Sequence, residues 1–343
     1  MSVEISHNSQ LLTVSVIIPV RNEDRHIRRC LRDVMDTTYP RDKIEIIVVD
    51  GVSTDNTQGE VEALHKEGLN VRLLPNPRRT PYTGLNVGIR AAKGEIIARV
   101  DARSICPPNY IKSCIDTLLK TGADNVGGVQ KPIGDSPRQR AIALAMTHPF
   151  GVGDAQFRLG KKSGYVDTVY LGCFRRKLFD DVGLYDEDGP VIGEDTEMNQ
   201  RIISRGGRVF LNKDIVVSYV VKDTLRAFWR QYFIYGGARA HNFMKSGGFS
   251  AKRQLVPLAF LITLCVLLPL AFIHNIFLYL LVLILGTYIG VDLTVALMFC
   301  VRNRDGQLLP WLILAFPCMH FGWAFGFFVR LFEGSRPGRH WRK

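Results

Sequence analysis

The sequence predicts an α/β protein with a Rossmann-like, mostly parallel sheet, followed by C-terminal transmembrane helices. Three observations carry this reading. Short apolar runs alternate with helical patterns through the first half of the 343 residues. Two of those runs end in a carboxylate, Ile44–Val49 at Asp50 and Glu95–Val100 at Asp101. From about residue 250 to about residue 332 apolar residues dominate. Ligands of open α/β sheets bind off the carboxyl ends of the strands, so the two acids mark the expected binding edge.

The elements follow in order. Val14–Pro19 reads as a first buried strand and delivers Arg21, Asn22 and Glu23 to the same edge. Asn22-Glu23-Asp24 is a helix-start signal, and Ile27, Leu31 and Val34 then fall on one helical face. The second strand ends at Asp50. Residues 53–57, Ser-Thr-Asp-Asn-Thr, cap a helix to about Lys66. Val71–Leu74 is a third strand, Asn86–Ala92 a helix stopped by Gly94, and a fourth strand runs to Asp101. Strand–helix alternation of this kind predicts a parallel sheet with right-handed crossovers. From Gly122 to Val220 the pattern is mixed, with strands near 125–130, 166–174 and 208–211 and a helix at 194–204.

The net charge of +12 sits outside the apolar tail. No basic stripe with interleaved aromatics occurs in the first half, so nucleic acid is not the expected partner. Anionic lipid and a phosphate-bearing substrate are. Met1–Gln10 is polar, so no signal peptide is expected. The seven cysteines show no C-x-x-C spacing, which fits a reduced, cytosol-facing catalytic half.

In the tail, Leu255–Ile273 and Ile276–Cys300 are each long enough to cross a bilayer core of about 30 Å. Only His274-Asn275 separates them, which predicts a tight helical hairpin, and Arg302 and Arg304 favour a cytoplasmic return. Leu308–Phe332 is apolar but contains Pro310, Pro317, Gly322 and Gly326. A third span and a re-entrant or interfacial segment both fit it. Leu225–Met244, with Trp229, Tyr232, Phe233, Tyr235 and three arginines, reads as an amphipathic helix on the membrane surface, with core packing as the bland alternative.

Several motifs coincide: Val16-Ile17-Ile18-Pro19-Val20-Arg21-Asn22-Glu23, Val48-Val49-Asp50-Gly51-x-Ser53-x-Asp55-x-Thr57, Val100-Asp101 and Gly193-Glu194-Asp195. Over about residues 13–245 the chain resembles the inverting family 2 glycosyltransferases, whose fold is the GT-A nucleotide-sugar fold. Asn76-Pro77-Arg78-Arg79, Gly84-Leu85-Asn86, residues 165–169 and Arg230-Gln231-Tyr232 are similar to the membrane-bound glucosyltransferases of succinoglycan-type exopolysaccharide assembly.

The resemblance implies a UDP-sugar donor. Asp50 and Glu23 would accept hydrogen bonds from base or ribose, Pro19 would shape the base pocket, and Arg21, Ser53 and Arg79 would line the donor site. Asp50 and Asp55 also suit plain turn and cap duty. Asp101 is the expected ligand of Mg²⁺ or Mn²⁺ at the diphosphate. The family usually carries Asp-x-Asp, and this chain has Asp101-Ala102-Arg103. Arg103 cannot ligate a cation; it can face the diphosphate or pair with a nearby acid. Asp195 takes the general-base position, with Glu194 and Glu197 as alternates, although acids in a first helical turn are also routine dipole partners. Glu194, Arg230, Gln231 and Tyr232 fall on the expected acceptor side. Gln-x-x-Arg-Trp, the processive pattern, is absent, which favours transfer of a single sugar.

The expected organisation is a catalytic domain over 1–223, an interface helix and linker over 224–252, a membrane domain of two or three helices over 253–333 and a basic tail over 334–343. The resemblance implies a multi-pass protein of the cell membrane with a cytoplasmic active site. It would move one hexose to a polyprenyl-diphosphate-linked saccharide. Polyprenyl phosphate as acceptor and a catalytically silent scaffold are the alternatives, the scaffold supported only by the altered Asp-x-Asp.

Overall fold

A computed structural model describes residues 11–187, 193–249 and 251–334. The polar N-terminal residues 1–10 and the basic residues 335–343 lie outside them. In chain order the elements are β1 (Val14–Val20), α1 (Asp24–Met35), β2 (Ile44–Asp50), α2 (Thr57–Lys66), β3 (Val71–Pro75), α3 (Pro81–Ala91), β4 (Ile96–Arg99), β5 (Ser104–Ile105), α4 (Tyr110–Thr121) and β6 (Asn125–Ile133). There follow α5 (Pro137–Ala145), α6 (Pro149–Val152), α7 (Gln156–Leu159), β7 (Gly164–Tyr165), β8 (Tyr170–Arg175), α8 (Leu178–Val182), α9 (Glu194–Ser204) and β9 (Val209–Val220). The chain continues through α10 (Leu225–Ser246), α11 (Leu255–Leu270), α12 (Asn275–Asn303) and α13 (Leu309–Glu333). It divides into two compact units, Met1–Gly127 with Leu171–Tyr185, and Gly128–Tyr170 with Asp186–Lys343. These units are interleaved in sequence.

In the first unit the strand order is β3-β2-β1-β4-β8. β1 is parallel to β2 and β4, β2 is parallel to β3, and β8 is antiparallel to β4. Ile17, Ile18, Ile46, Ile47, Val48 and Val49 are fully buried, as expected of strands covered on both faces. Register levels the carboxyl edge: Val20 lies opposite Asp50, and Asp50 opposite Pro75. Ile27, Cys30, Leu31 and Val34 form the buried stripe of α1. Helix α3 starts at Pro81, five residues before the predicted start, because proline suits the first turn, where its missing N–H is not needed. Gly84 and Gly88 let α3 lie on β1; a Cβ at Gly88 would sit 2.4 Å from Ile17 Cγ2.

The second unit holds β7 and β9, paired antiparallel, and all the long helices. Among the described residues three helices are long and apolar enough to cross a membrane: Lys252–Leu270, Asn275–Asn303 and Gly306–Glu333. The first two form the expected hairpin. The third is one continuous helix, despite Pro317 in its interior. Its glycines are packing sites. A Cβ at Gly326 would lie 1.9 Å from Phe233 O, and one at Gly236 would lie 1.8 Å from Trp323 O. Helix α10 is therefore pressed backbone to backbone on α13, and Phe228, Tyr232, Ile234, Ala238 and Ala240 are buried. That corrects the picture of a helix with one face free on the membrane: the apolar face meets protein.

Candidate active site

The donor-side residues all belong to the first unit, and the loops at its carboxyl edge hold them. Gly51 N donates to Val20 O at 2.7 Å, tying the end of β2 to the end of β1. Asn22 N donates to Ser53 Oγ at 2.9 Å, and Thr54 N donates to Asn22 Oδ1 at 2.8 Å. Within this zipper Asn22 (φ 55°) and Val52 (φ 58°) are left-handed. A β-branched residue in that region costs about 1–3 kcal/mol and persists only where the surroundings enforce it, which is common at ligand sites.

Asp50 is 2% exposed. Its carboxylate accepts from Ser53 Oγ (2.5 Å), Ser53 N (3.0 Å) and Gln58 Nε2 (2.6 Å). Asp55 accepts from Thr57 N, Thr57 Oγ1 and Asp24 N. Desolvation opposes ionisation of Asp55, but these hydrogen bonds prevail and hold its carboxyl below the usual range. Both acids thus build the loop, and Asp50 meets a ligand only with the lone pairs left over.

Glu23 is the N-cap residue of α1, but its side chain makes no cap hydrogen bond. One oxygen, Oε1, accepts from Arg103 Nε at 3.0 Å; the other, Oε2, is buried without a partner. Of the two roles open to Arg103, the ion pair is the one observed. Arg21 packs its stem on Gly51 and leaves Nε buried and unpartnered. An orphan donor and an orphan acceptor on neighbouring residues are what a polar ligand would satisfy.

Asp101 Oδ1 accepts from Arg99 Nε at 3.0 Å, a pair the sequence reading missed because Arg99 looked like an ordinary strand residue. The Asp101 side chain stays about a third exposed. No group of three metal-ligating side chains occurs among the described residues. The donor set still fits a hard cation, because Mg²⁺ is commonly held by one or two carboxylates together with substrate phosphates and water. Pro19 lies under α3 at Gly84, where an added Cβ would sit 3.2 Å from Pro19 Cβ. Asn76 fixes the loop after β3, donating to Thr80 O (2.8 Å) and accepting from Thr83 Oγ1 (2.9 Å), and Arg79 stands exposed on it at φ 63°. Asn86 grips Tyr185 twice, through Nδ2 to its carbonyl (2.8 Å) and Oδ1 from its N–H (2.9 Å), and so pins the chain leading toward α9.

In the second unit Gly193 (φ 102°) opens α9, and a Cβ there would lie 2.8 Å from Ala238 Cβ of α10. Glycine is needed for both the backbone angle and the contact. Glu194 is buried and Asp195 partly exposed in the first turn. Asn199 Nδ2 donates to Thr168 Oγ1 at 3.0 Å and steadies the helix. One residue past Ala238 comes Arg239. Burial lowers its pKa to about 10, against the opposing pull of Asp167 and Asp195. Arg253 bonds Asp167 (2.5 Å) and Asp154 (3.0 Å). Arg239 was read only as one of the charges on α10; its helical position gave no sign that it turns inward.

Arg230, Gln231 and Tyr232 are not brought together. Successive helical residues point about 100° apart. Arg230 is exposed, Gln231 Nε2 donates to Tyr235 Oη (2.9 Å), and Tyr232 is core, edge-on to Phe228 at 4.9 Å.

The family model "Glycosyl transferase family 2" matches residues 15–183, which include the whole donor-side constellation. The chain belongs to glycosyltransferase family 2. Two curated relatives extend over nearly all of it. Dolichyl N-acetyl-alpha-D-glucosaminyl phosphate 3-beta-D-2,3-diacetamido-2,3-dideoxy-beta-D-glucuronosyltransferase of Methanococcus voltae is 26% identical over 94% of this chain and 98% of its own length. Succinoglycan biosynthesis protein ExoA of Rhizobium meliloti (strain 1021) is 28% identical over 94% of this chain and 96% of its own. Among solved structures, the mannosyltransferase PcManGT of Pyrobaculum calidifontis, in complex with GDP-Man and Mn²⁺, superposes with a TM-score of 0.64 at 22% identity, covering 90% of this chain and 86% of that one. Its fold and that of this family 2 member are the same GT-A fold, here followed by apolar helices. The protein is a glycosyltransferase.

Proposed function

We propose that this enzyme moves one hexose, glucose on the succinoglycan resemblance, from a UDP-sugar to a polyprenyl-diphosphate-linked saccharide in exopolysaccharide or cell-surface glycan assembly. The observation that carries it is likeness over 94% of the chain to two relatives named for succinoglycan synthesis and for transfer to a dolichyl-linked sugar. Asp50 and Glu23 orient base and ribose, and Arg21 and Arg79 supply positive charge toward the diphosphate. Asp101 would hold Mg²⁺ or Mn²⁺, which when bound neutralises charge on the departing diphosphate. Asp195 takes the proton from the acceptor hydroxyl as that oxygen attacks the anomeric carbon. Attack from the face opposite the leaving group inverts the centre, so an α-linked donor gives a β-linked product. Arg239 lies near enough to Asp195 for the two charges to interact, which places a buried cation beside the proposed base.

The membrane reading follows from contacts inside the second unit. Helices α11 and α12 cross as a hairpin with the catalytic residues on the cytoplasmic side. Helix α13 lies at the base of that hairpin rather than crossing a third time. Leu308, Leu312, Ala315 and Phe316 share a core with Ala141, Ile142 and Ala145 of α5. His320 Nε2 bonds Phe150 O at 2.7 Å. Ala324 and Phe327 pack with Ala240 of α10 and with Leu258 and Leu261, near the start of α11. A helix in contact along its length with the non-spanning helices α5, α6 and α10 suits the interface.

The name of the Methanococcus relative specifies a phosphate-linked sugar, which keeps a monophosphate link as the second reading. Membranes containing the protein, incubated with a panel of radiolabelled nucleotide sugars, test the whole proposal. Label in the lipid extract from a UDP-hexose supports it, and mild acid release then separates diphosphate from monophosphate links. Label in no lipid fraction with any donor overturns it.

A further inference from the structure

Helix α13 carries a buried cation, Arg330, that forms no ion pair among the described residues. Arg330 is 3% exposed, and among the described residues its one hydrogen bond runs from Nη2 to His241 Nδ1 of α10, at 3.1 Å. A guanidinium only donates, so Nδ1 must accept and the imidazole proton sits on Nε2. His241 Nε2 is itself buried without a partner, as are Arg330 Nε and Nη1. Three N–H donors therefore lack an acceptor in one place.

The nearby acids are otherwise engaged. Glu197 bonds Arg201 at 2.7 Å and lies 3.6 Å from Lys245, which bonds Asp186 at 2.6 Å. Glu333, one turn beyond Arg330, is close enough for its charge to be felt. A buried guanidinium left with a neutral imidazole is costly unless a further anion arrives. Burial and the charge of Arg330 both lower the His241 pKa, which keeps its Nδ1 lone pair available.

We propose that Arg330 and His241 bind a phosphate or diphosphate ester, the headgroup of a prenyl lipid. Planar, multidentate donor sets of this kind suit phosphate oxygens. The lipid source is favoured because the site lies on a helix long and apolar enough to enter a membrane. Next to it, Lys245 and Glu197 lead into α9, the helix of Asp195. The inference rests on the lipid-linked acceptor reading above and adds the residues that hold the acceptor's phosphate.

The test is binding by the full chain in neutral detergent, without donor, read by thermal melting. The ligands are farnesyl diphosphate, inorganic pyrophosphate and farnesol. Farnesyl diphosphate should raise the melting temperature, and Arg330→Gln should weaken this binding by about 30-fold or more, as for removal of one member of a buried charged hydrogen bond. Arg330→Lys should recover part of it, and farnesol should do nothing. Equal, Arg330-dependent stabilisation by pyrophosphate would support the phosphate site while assigning it to free phosphate rather than lipid. Should Arg330→Gln not fold, His241→Ala carries the same readout. No stabilisation by either phosphate compound, or stabilisation indifferent to both substitutions, overturns the site. If sugar is transferred to a lipid acceptor but the substitutions change nothing, only this inference falls. If Arg330-dependent binding is seen without lipid transfer, the site stands and the acceptor reading falls.

Discussion

At the scale of single residues, the strand-end acids stood out in the sequence, but their partners did not. Asp50 and Asp101 were legible because each ends an apolar run. Arg99 and Arg239 were not, because a charge on a strand or helix shows its face only after folding. The observed Arg103–Glu23 pair carries an expectation for the metal. With Arg103 engaged by Glu23, it is not free to replace a cation, and the Asp101 side chain stays about a third exposed. Calorimetric titration of UDP should give an affinity about tenfold or more weaker in chelator than in Mn²⁺, the scale of one charge-assisted contact. Equal affinities would remove the metal from the account. Asp195→Asn should lower the rate by about 10²–10⁴-fold while UDP still binds, the usual cost of losing a general base. Near-normal turnover would take Asp195 out of the mechanism.

Elements were read well where periodicity and burial agree, and poorly where packing overrides local pattern. The parallel strands β1, β2 and β4 announced themselves as apolar runs. Strand β9 was seen only at its start, because Asn212, Lys213 and Asp214 break the apolar pattern while the backbone continues to pair. In α13 the glycines looked like breakers, yet they are where α10 docks. Gly326→Ala should destabilise the protein by about 1–3 kcal/mol, the cost of overpacking, because Phe233 O lies where the methyl would go. Gly286→Ala, which meets nothing within 4 Å, is the control. Comparable melting temperatures for the two would mean that α10 and α13 are not in backbone contact.

For the whole molecule, hydropathy identified three apolar helices but could not say what each one faces. Length and composition are alike for a helix that crosses lipid and one that lies along protein; the proposal that α13 is the second kind rests on its packing with α5 and α10 in cores that also take in residues of α11 and α12. In a background lacking other reactive cysteines, Asn275→Cys at the hairpin tip should react with a membrane-impermeant reagent outside intact cells. Phe332→Cys should be protected until the membrane is opened. External labelling at Phe332→Cys would make α13 a third span; protection at Asn275→Cys would overturn the hairpin.

The central claim is a one-step inverting transfer, and the anomeric configuration of the product tests it most directly. Product made from an α-linked UDP-hexose and a synthetic prenyl-diphosphate saccharide should show, by proton NMR, a β-linked new sugar added once per acceptor. An α-linked product would contradict the account, since retention requires a nucleophile on the enzyme and a second displacement.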